Sequence, residues 1–253
     1  MKPETGAGVD NRWFEEWFDS PLYPILYSNR DEAEAEMFLT NLVGFISPDA
    51  GARILDVACG RGRHARYLAD RGFDITGIDL SEKSITEAKL NSRDNLKFMI
   101  QDMRCELFEN EFDLVLNLFT SFGYFTSDEE NMRVLRCMKK SLRKNKLLVL
   151  DFLNVATILP ELPIHEEKIL GSHRFLIEKF FSGGFIRKKI MYSAEGIEQE
   201  FHEQVKAYTR AMLESMLHDC GFAITHFFGD YHLNKFNEEI SPRLILLCRT
   251  ETD

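Results

Sequence analysis

The sequence predicts an α/β fold with a seven-stranded, mostly parallel sheet covered by helices on both faces. Three observations lead there. Short apolar runs alternate with helical patterns between residues 53 and 152. A glycine-containing turn joins the first such run to the first such helix. Two further apolar runs, at 222–229 and 243–249, follow a late helix and can return to the same sheet. The 253 residues are 44% hydrophobic and include 21 Phe, which supplies a full core and excludes disorder as the main state. The formal charge of −10 argues against a generally nucleic-acid-coating surface.

The elements follow in order. Residues 1–9 read as a loose tail, and Trp13, Phe14, Trp17 and Phe18 recur at helical spacing until Ser20-Pro21 breaks the chain. A second helix follows Asn29, with Ala33, Met37, Phe38 and Val43 on its apolar face and Pro48 as its stop. Strands are predicted at 53–57, 73–79, 96–100, 112–117 and 147–152. Helices run from the glycine turn to about 71, over 81–91 with Ser81 as N-cap, and over 127–143. The alternation then stops. Residues 173–181, 185–193 and 199–209 read as three antiparallel strands, with turns at Ser182-Gly183-Gly184 and Glu195-Gly196. A helix over 210–220 ends at Gly221. This divides the chain into an N-terminal helical lid (1–46), a main α/β unit (47–152 with 210–253) and an antiparallel insertion (153–209) near the open end of the sheet. No apolar run reaches the roughly 18 residues of a membrane span, and the N-terminus lacks a signal-peptide core. Five cysteines without a CxxC pair suit a reducing cytoplasm and make neither a disulfide framework nor a zinc site.

The chemistry concentrates at Ile54-Leu55-Asp56-Val57-Ala58-Cys59-Gly60-Arg61-Gly62-Arg63-His64. Small residues let a ligand approach the backbone, and the helix start offers free N–H groups. Gly60-x-Gly62-x-x-Ala65 alone fits a Rossmann-like dinucleotide fingerprint, with Asp79 as its acidic partner some 20 residues on. Asp56 decides otherwise: a carboxylate at the end of the first strand repels a pyrophosphate and attracts an ammonium. Asp79 can accept from two vicinal ribose hydroxyls. After the third strand, Asp102 can accept from an amino-purine while Met103 packs on its face. Amino acid, ribose and adenine in that order spell S-adenosylmethionine.

The stretch from about 53 to 152 resembles the class I S-adenosylmethionine-dependent methyltransferases, of the bacterial small-molecule type. The family's acidic-x-Gly-x-Gly-x-Gly motif matches at Asp56, Gly60 and Gly62, with Ala58 in place of the first glycine. The ribose acid matches Asp79, beside Leu80, and the adenine-side acid matches Asp102. Asn117 and Leu118 match the segment after the fourth strand. The resemblance extends loosely to the N-terminal Trp-Phe-x-Ser-Pro-x-Tyr segment and to Ser241-Pro242-Arg243-Leu244-Ile245. It implies S-adenosylmethionine as cofactor and methyl transfer by in-line displacement to an N or O nucleophile of a small metabolite.

Asn117, Ser121 and Tyr124 lie at the carboxyl edge where the methyl should point, and Asn117 and Tyr124 are the catalytic candidates. Tyr27 is expected to face the sulfonium with its ring, and Arg30 to lie near the cofactor carboxylate. Arg61 and Arg63 read as solvated helix-start residues, and His64 as a capping or packing residue rather than a catalyst. Asp230-Tyr231 and Arg243 are further candidates for the substrate mouth. His165, His173, His202, His226 and His232 show no metal spacing, and no single His substitution is expected to abolish turnover. The alternatives are an RNA or protein methyltransferase and a non-catalytic cofactor-binding module. The first would use the basic runs Lys139, Lys140, Arg143, Lys144, Lys146 and Arg187-Lys188-Lys189. Nucleic acid is disfavoured as a partner, no membrane partner is expected, and both monomer and homodimer remain open.

Overall fold

The computed structural model describes residues 12–28, 32–106, 108–194 and 196–251. It opens with α1 (Trp13–Asp19), α2 (Leu22–Leu26) and α3 (Glu32–Ile46). The alternating region follows as β1 (Arg53–Val57), α4 (Arg63–Asp70), β2 (Asp74–Asp79), α5 (Glu82–Lys89), β3 (Leu96–Ile100), β4 (Phe112–Asn117), α6 (Asp128–Ser141) and β5 (Leu142–Leu153). After α7 (Val155–Ile158) come β6 (Ile164–Leu170), β7 (His173–Ser182), β8 (Phe185–Ala194) and β9 (Ile197–Lys206). The chain closes with α8 (Arg210–Asp219), β10 (Phe222–Phe228) and β11 (Arg243–Thr250).

The main sheet has seven strands in the order β10-β11-β5-β4-β1-β2-β3. All neighbours are parallel except β11, which runs antiparallel to both β5 and β10. Strand alternation sends side chains to two cores. Ile54, Leu114 and Val149 pack with Phe38, Leu42, Leu68 and Ile85 of α3, α4 and α5. Leu55, Val115 and Leu148 pack on the opposite face with Val134, Leu135, Leu213 and Leu217 of α6 and α8.

The insertion is a four-stranded antiparallel sheet, β6-β7-β8-β9, one strand more than the sequence predicts. The extra strand is β6. Four consecutive polar residues, His165-Glu166-Glu167-Lys168, hide its alternation, although Glu166 and Lys168 lie in register with the buried Ile177 and Phe175 of β7. Phe175, Ile177, Ile190 and Tyr192 turn the inner face of this sheet into the core shared with α1 and α2. Helices α1 and α2 are thus sandwiched between insertion and main sheet, with the Trp17 ring 4.5 Å from that of Phe201 on β9. No helix among the described residues is long and apolar enough to cross a membrane.

Candidate functional site

The site lies where β1, β2 and β4 end at the carboxyl edge of the sheet, the usual ligand position in open α/β sheets. Past β1 the backbone enters the left-handed region at Ala58 (φ 60°), Gly60 (φ 54°) and Gly62 (φ 76°). Ala58 therefore holds a conformation that glycine adopts without the steric penalty of a Cβ. A Cβ at Gly60 meets nothing within 4 Å, so the turn leaves open space beside its backbone. Gly62 is different: a Cβ there would lie 2.4 Å from the Phe98 ring of β3. Gly62→Ala is accordingly expected to cost about 2–4 kcal/mol, from a strained φ plus overpacking, read as a lowered midpoint in urea unfolding.

Asp56 is buried in β1, and its Oδ2 has no hydrogen-bond partner among the described residues. Burial, with Asp79 nearby, pushes its carboxyl up to about 7, against the opposing pull of Arg63. Asp79 at the end of β2 clasps the turn: Gly60 N donates to its Oδ2 at 2.8 Å and Ser81 N to its Oδ1 at 2.9 Å. Burial raises the Asp79 carboxyl too, partly offset by these backbone donors. Ser81 caps α5 and also donates to Asp19 at the end of α1, whose carbonyl receives Lys83 Nζ at 3.2 Å. The cofactor-side turn is thus tied to the N-terminal helices. Leu80, Met99 and Ile100 stand exposed beside it.

The other candidates fall as follows. Asp102 accepts from Arg104 N and in bidentate fashion from the Arg104 guanidinium, which reaches on to Glu130 at 2.7 Å. Burial raises the Asp102 carboxyl, but the Arg104 contacts outweigh it and leave it lowered. Its charge is therefore shared with a neighbour that sequence reading overlooked. Met103 packs half-buried against the α6-side core. Asn117 is fully buried at the end of β4; its amide donates to Val57 O at 3.1 Å and its Oδ1 has no partner among the described residues. Leu118 is buried. Ser121 donates to Leu118 O, and Tyr124 directs its hydroxyl to Thr120 O at 2.8 Å while its ring meets Trp13 and Phe18. Tyr27 donates its hydroxyl to Glu203 of β9. Arg30 lies outside the described residues.

Three features escape sequence reading. Arg63 turns inward, its guanidinium 4.8 Å over the Phe119 ring, while His64 packs as expected, its ring stacked on the same Phe119 at 4.9 Å. Burial and Arg63 lower His64 to about 3, so it is neutral at any physiological pH. Glu203 gathers Trp17 Nε1 at 2.6 Å, Lys188 Nζ at 2.7 Å and the Tyr27 hydroxyl, joining insertion to N-terminal helices. Asp151, wholly buried on β5, receives Arg243, Tyr231 and the backbone N–H of Phe119.

Comparison with known proteins agrees with this geometry. Residues 54–145 match a family described as a methyltransferase domain. A glycine/sarcosine N-methyltransferase of Parasynechococcus marenigrum (strain WH8102) is 26% identical over 244 residues, covering 91% of this chain and 84% of that one. The fold is similar to an S-adenosylmethionine-dependent methyltransferase from Clostridium acetobutylicum ATCC 824, with TM-score 0.77, 16% identity and 91% and 96% of the two chains covered. It is also similar to CalS10 with S-adenosylmethionine bound, an amino pentose methyltransferase of calicheamicin biosynthesis from Micromonospora echinaspora, with TM-score 0.69, 20% identity and 91% and 97% covered. The buried Asp56 Oδ2 before an open glycine turn fits the ammonium of that cofactor, and residues 54–145 are a methyltransferase domain of the S-adenosylmethionine-dependent kind.

Proposed function

We propose that this chain methylates a nitrogen of a small metabolite, oxygen being the alternative acceptor, with residues 47–152 and 210–253 holding the cofactor. In this reading 1–46 serve as the lid and 153–209 as the wall of the acceptor site. The observation that carries the reading is the orphaned Oδ2 of Asp56 at the bend before Gly60. That atom would receive the cofactor ammonium. Asp79 would take the ribose hydroxyls on the lone pairs left by Gly60 and Ser81. Leu80, Met99, Ile100 and Met103 would flank the adenine, with Asp102 at its edge, and Tyr27 would lend its ring to the sulfonium side. Ala58, Gly60, Gly62 and Leu118 would shape the cradle.

S-adenosylmethionine supplies an electrophilic methyl on a sulfonium, so its departure leaves a neutral thioether. The residues therefore need only orient, desolvate and hold a proton in place. Asn117 would accept a hydrogen bond from the incoming nucleophile on Oδ1. An amide oxygen does not retain a proton, which suits an amine arriving neutral better than a hydroxyl needing a base. Tyr124, whose hydroxyl is engaged with Thr120, would act through its ring as part of the aromatic wall. The N-methyltransferase relative supports nitrogen as the acceptor. A small acceptor is supported by the pairing of the basic runs: Lys140 meets Glu106, Arg143 and Lys146 meet Asp113, and Lys189 meets Glu200. Such paired charges offer little to a phosphate backbone.

The test is transfer of tritiated methyl from the cofactor to a low-mass metabolite extract, to RNA and to protein in parallel. Label is expected in the low-mass fraction; label confined to RNA or protein contradicts the reading.

Asp56 adds a pH signature. Its carboxyl is protonated below about 7 in the free fold. Attraction for an ammonium thus appears only as pH rises through that value. Affinity for adenosylhomocysteine is expected to climb roughly five- to tenfold between pH 6 and 7.5, and Asp56→Asn to flatten that climb, both by calorimetric titration. For the ligand-free fold the sign is opposite. A carboxyl raised in the fold binds a proton there that the unfolded chain has already lost, so Asp56 stabilises less as pH climbs from about 4 to 7.

A further inference from the structure

We propose that Asp151 and Arg243 are positioning residues for methyl transfer, acting through the backbone that follows Asn117. This rests on the reading above, in which Asn117 orients the acceptor. Phe119 and Thr120 are consecutive non-glycine residues in the left-handed region, at φ 56° and 57°. Backbone of this kind persists only where its surroundings over-determine it, and it clusters at active sites. Here the surroundings are two residues. Asp151 Oδ2 accepts from Phe119 N at 2.8 Å, and Asp151 O accepts from Thr120 N at 3.1 Å. Arg243 brings Nε and Nη2 to Asp151 Oδ1 at 2.9 and 2.7 Å, and its Nη2 also donates to Thr120 Oγ1 at 2.8 Å. Tyr231 adds its hydroxyl to Asp151 Oδ2 at 3.2 Å.

The pair comes from β5 and β11, adjacent strands flanked on both sides in the sheet, with Asp151 wholly buried. It therefore ties the loop to the interior of the sheet. The bend sends the Phe119 ring onto His64 and under Arg63, beside the cofactor turn, while Tyr124, anchored on Thr120 O, sends its ring to Trp13 and Phe18 of α1. One ion pair on a buried carboxylate thus fixes both the donor-side and lid-side contacts of the segment beginning at Asn117. Neither Asp151 nor Arg243 needs to touch the reactants.

The test compares the unaltered chain with Asp151→Asn and Arg243→Gln by three readouts. Adenosylhomocysteine affinity by calorimetry is expected to stay within threefold. Amide hydrogen exchange over 117–125 is expected to quicken tenfold or more. Transfer of tritiated methyl to low-mass metabolite extract is expected to fall ten- to a hundredfold in maximal rate, with the apparent KM for S-adenosylmethionine within threefold. Unchanged turnover overturns the proposal. So does cofactor affinity that falls in step with turnover, which marks a merely structural role. Should Asp151→Asn fail to fold, Thr120→Val removes one Arg243 contact and spares the ion pair. It is expected to shift exchange and rate three- to tenfold in the same directions, and no shift overturns the proposal. If the unaltered chain labels nothing in the extract, the acceptor reading fails, and unchanged exchange over 117–125 still overturns this one.

Discussion

Asp79→Ala is expected to bind adenosylhomocysteine about 100-fold more weakly than the unaltered chain. The carboxylate is held at the end of β2 by two backbone donors, from Gly60 and Ser81. Burial nonetheless raises its carboxyl, so its charge is short of partners in the free fold. Two ribose hydroxyls would supply them. Hydrogen bonds to a charged group contribute about 1.5–3 kcal/mol each, and about 2.7 kcal/mol is a factor of 100. The substitution also frees Gly60 N, which loosens the turn the cofactor must meet. Calorimetric titration checks the affinity. Asp79→Asn separates the two effects, since its amide oxygen can still accept from Gly60 N. An Asn variant that restores the turn without restoring affinity assigns the loss to the ribose contact. Affinity undiminished in Asp79→Ala counts against Asp79 as the ribose residue.

The second large effect is expected at Lys188→Met, with a loss of about 2–4 kcal/mol in urea unfolding. Glu203 is half-buried between insertion and N-terminal helices, where burial raises its carboxyl and Lys188, Tyr27 and Trp17 together hold it below the ordinary range. Removing Lys188 leaves a half-buried charge with only neutral donors. Glu203→Gln combined with Lys188→Met is expected to recover much of the loss, because no uncompensated charge remains. The sign with pH follows from the lowered carboxyl: this stabilisation is complete above the ordinary Glu range and fades as pH falls through the lower folded value. A single variant as stable as the parent contradicts the idea that this cluster fastens α1 and α2 to β8 and β9.

These two sites differ in how readable they are. Asp56, Gly60, Gly62 and Asp79 are legible because one strand–turn–helix and the next parallel strand place them at fixed short spacings. The seven-stranded sheet is legible for the same reason, since each βαβ unit carries its own period and caps. Glu203 with Trp17 and Tyr27 is not, because partners 186 and 176 residues apart meet only through the tertiary fold. Asp151 reads as one polar residue in an apolar strand, and Arg243 as a candidate for the substrate mouth. Their pairing across 92 residues depends on β11 returning beside β5. Arg63 looks like a solvated helix-start residue until the left-handed backbone of Phe119 brings its ring under the guanidinium. Arg104 is the instructive exception. It stands two residues from Asp102 and takes up much of that carboxylate, a local pairing visible in the sequence and passed over in favour of the ligand.

The central claim is that Asp56 receives the cofactor ammonium and Asp79 its ribose. The most direct measurement is a crystal structure of the full chain with adenosylhomocysteine. The account predicts the amino group within hydrogen-bond reach of Asp56, directly or through one water, and both ribose hydroxyls on Asp79. Density that places the nucleoside elsewhere, with Asp56 Oδ2 still lacking a partner, contradicts it.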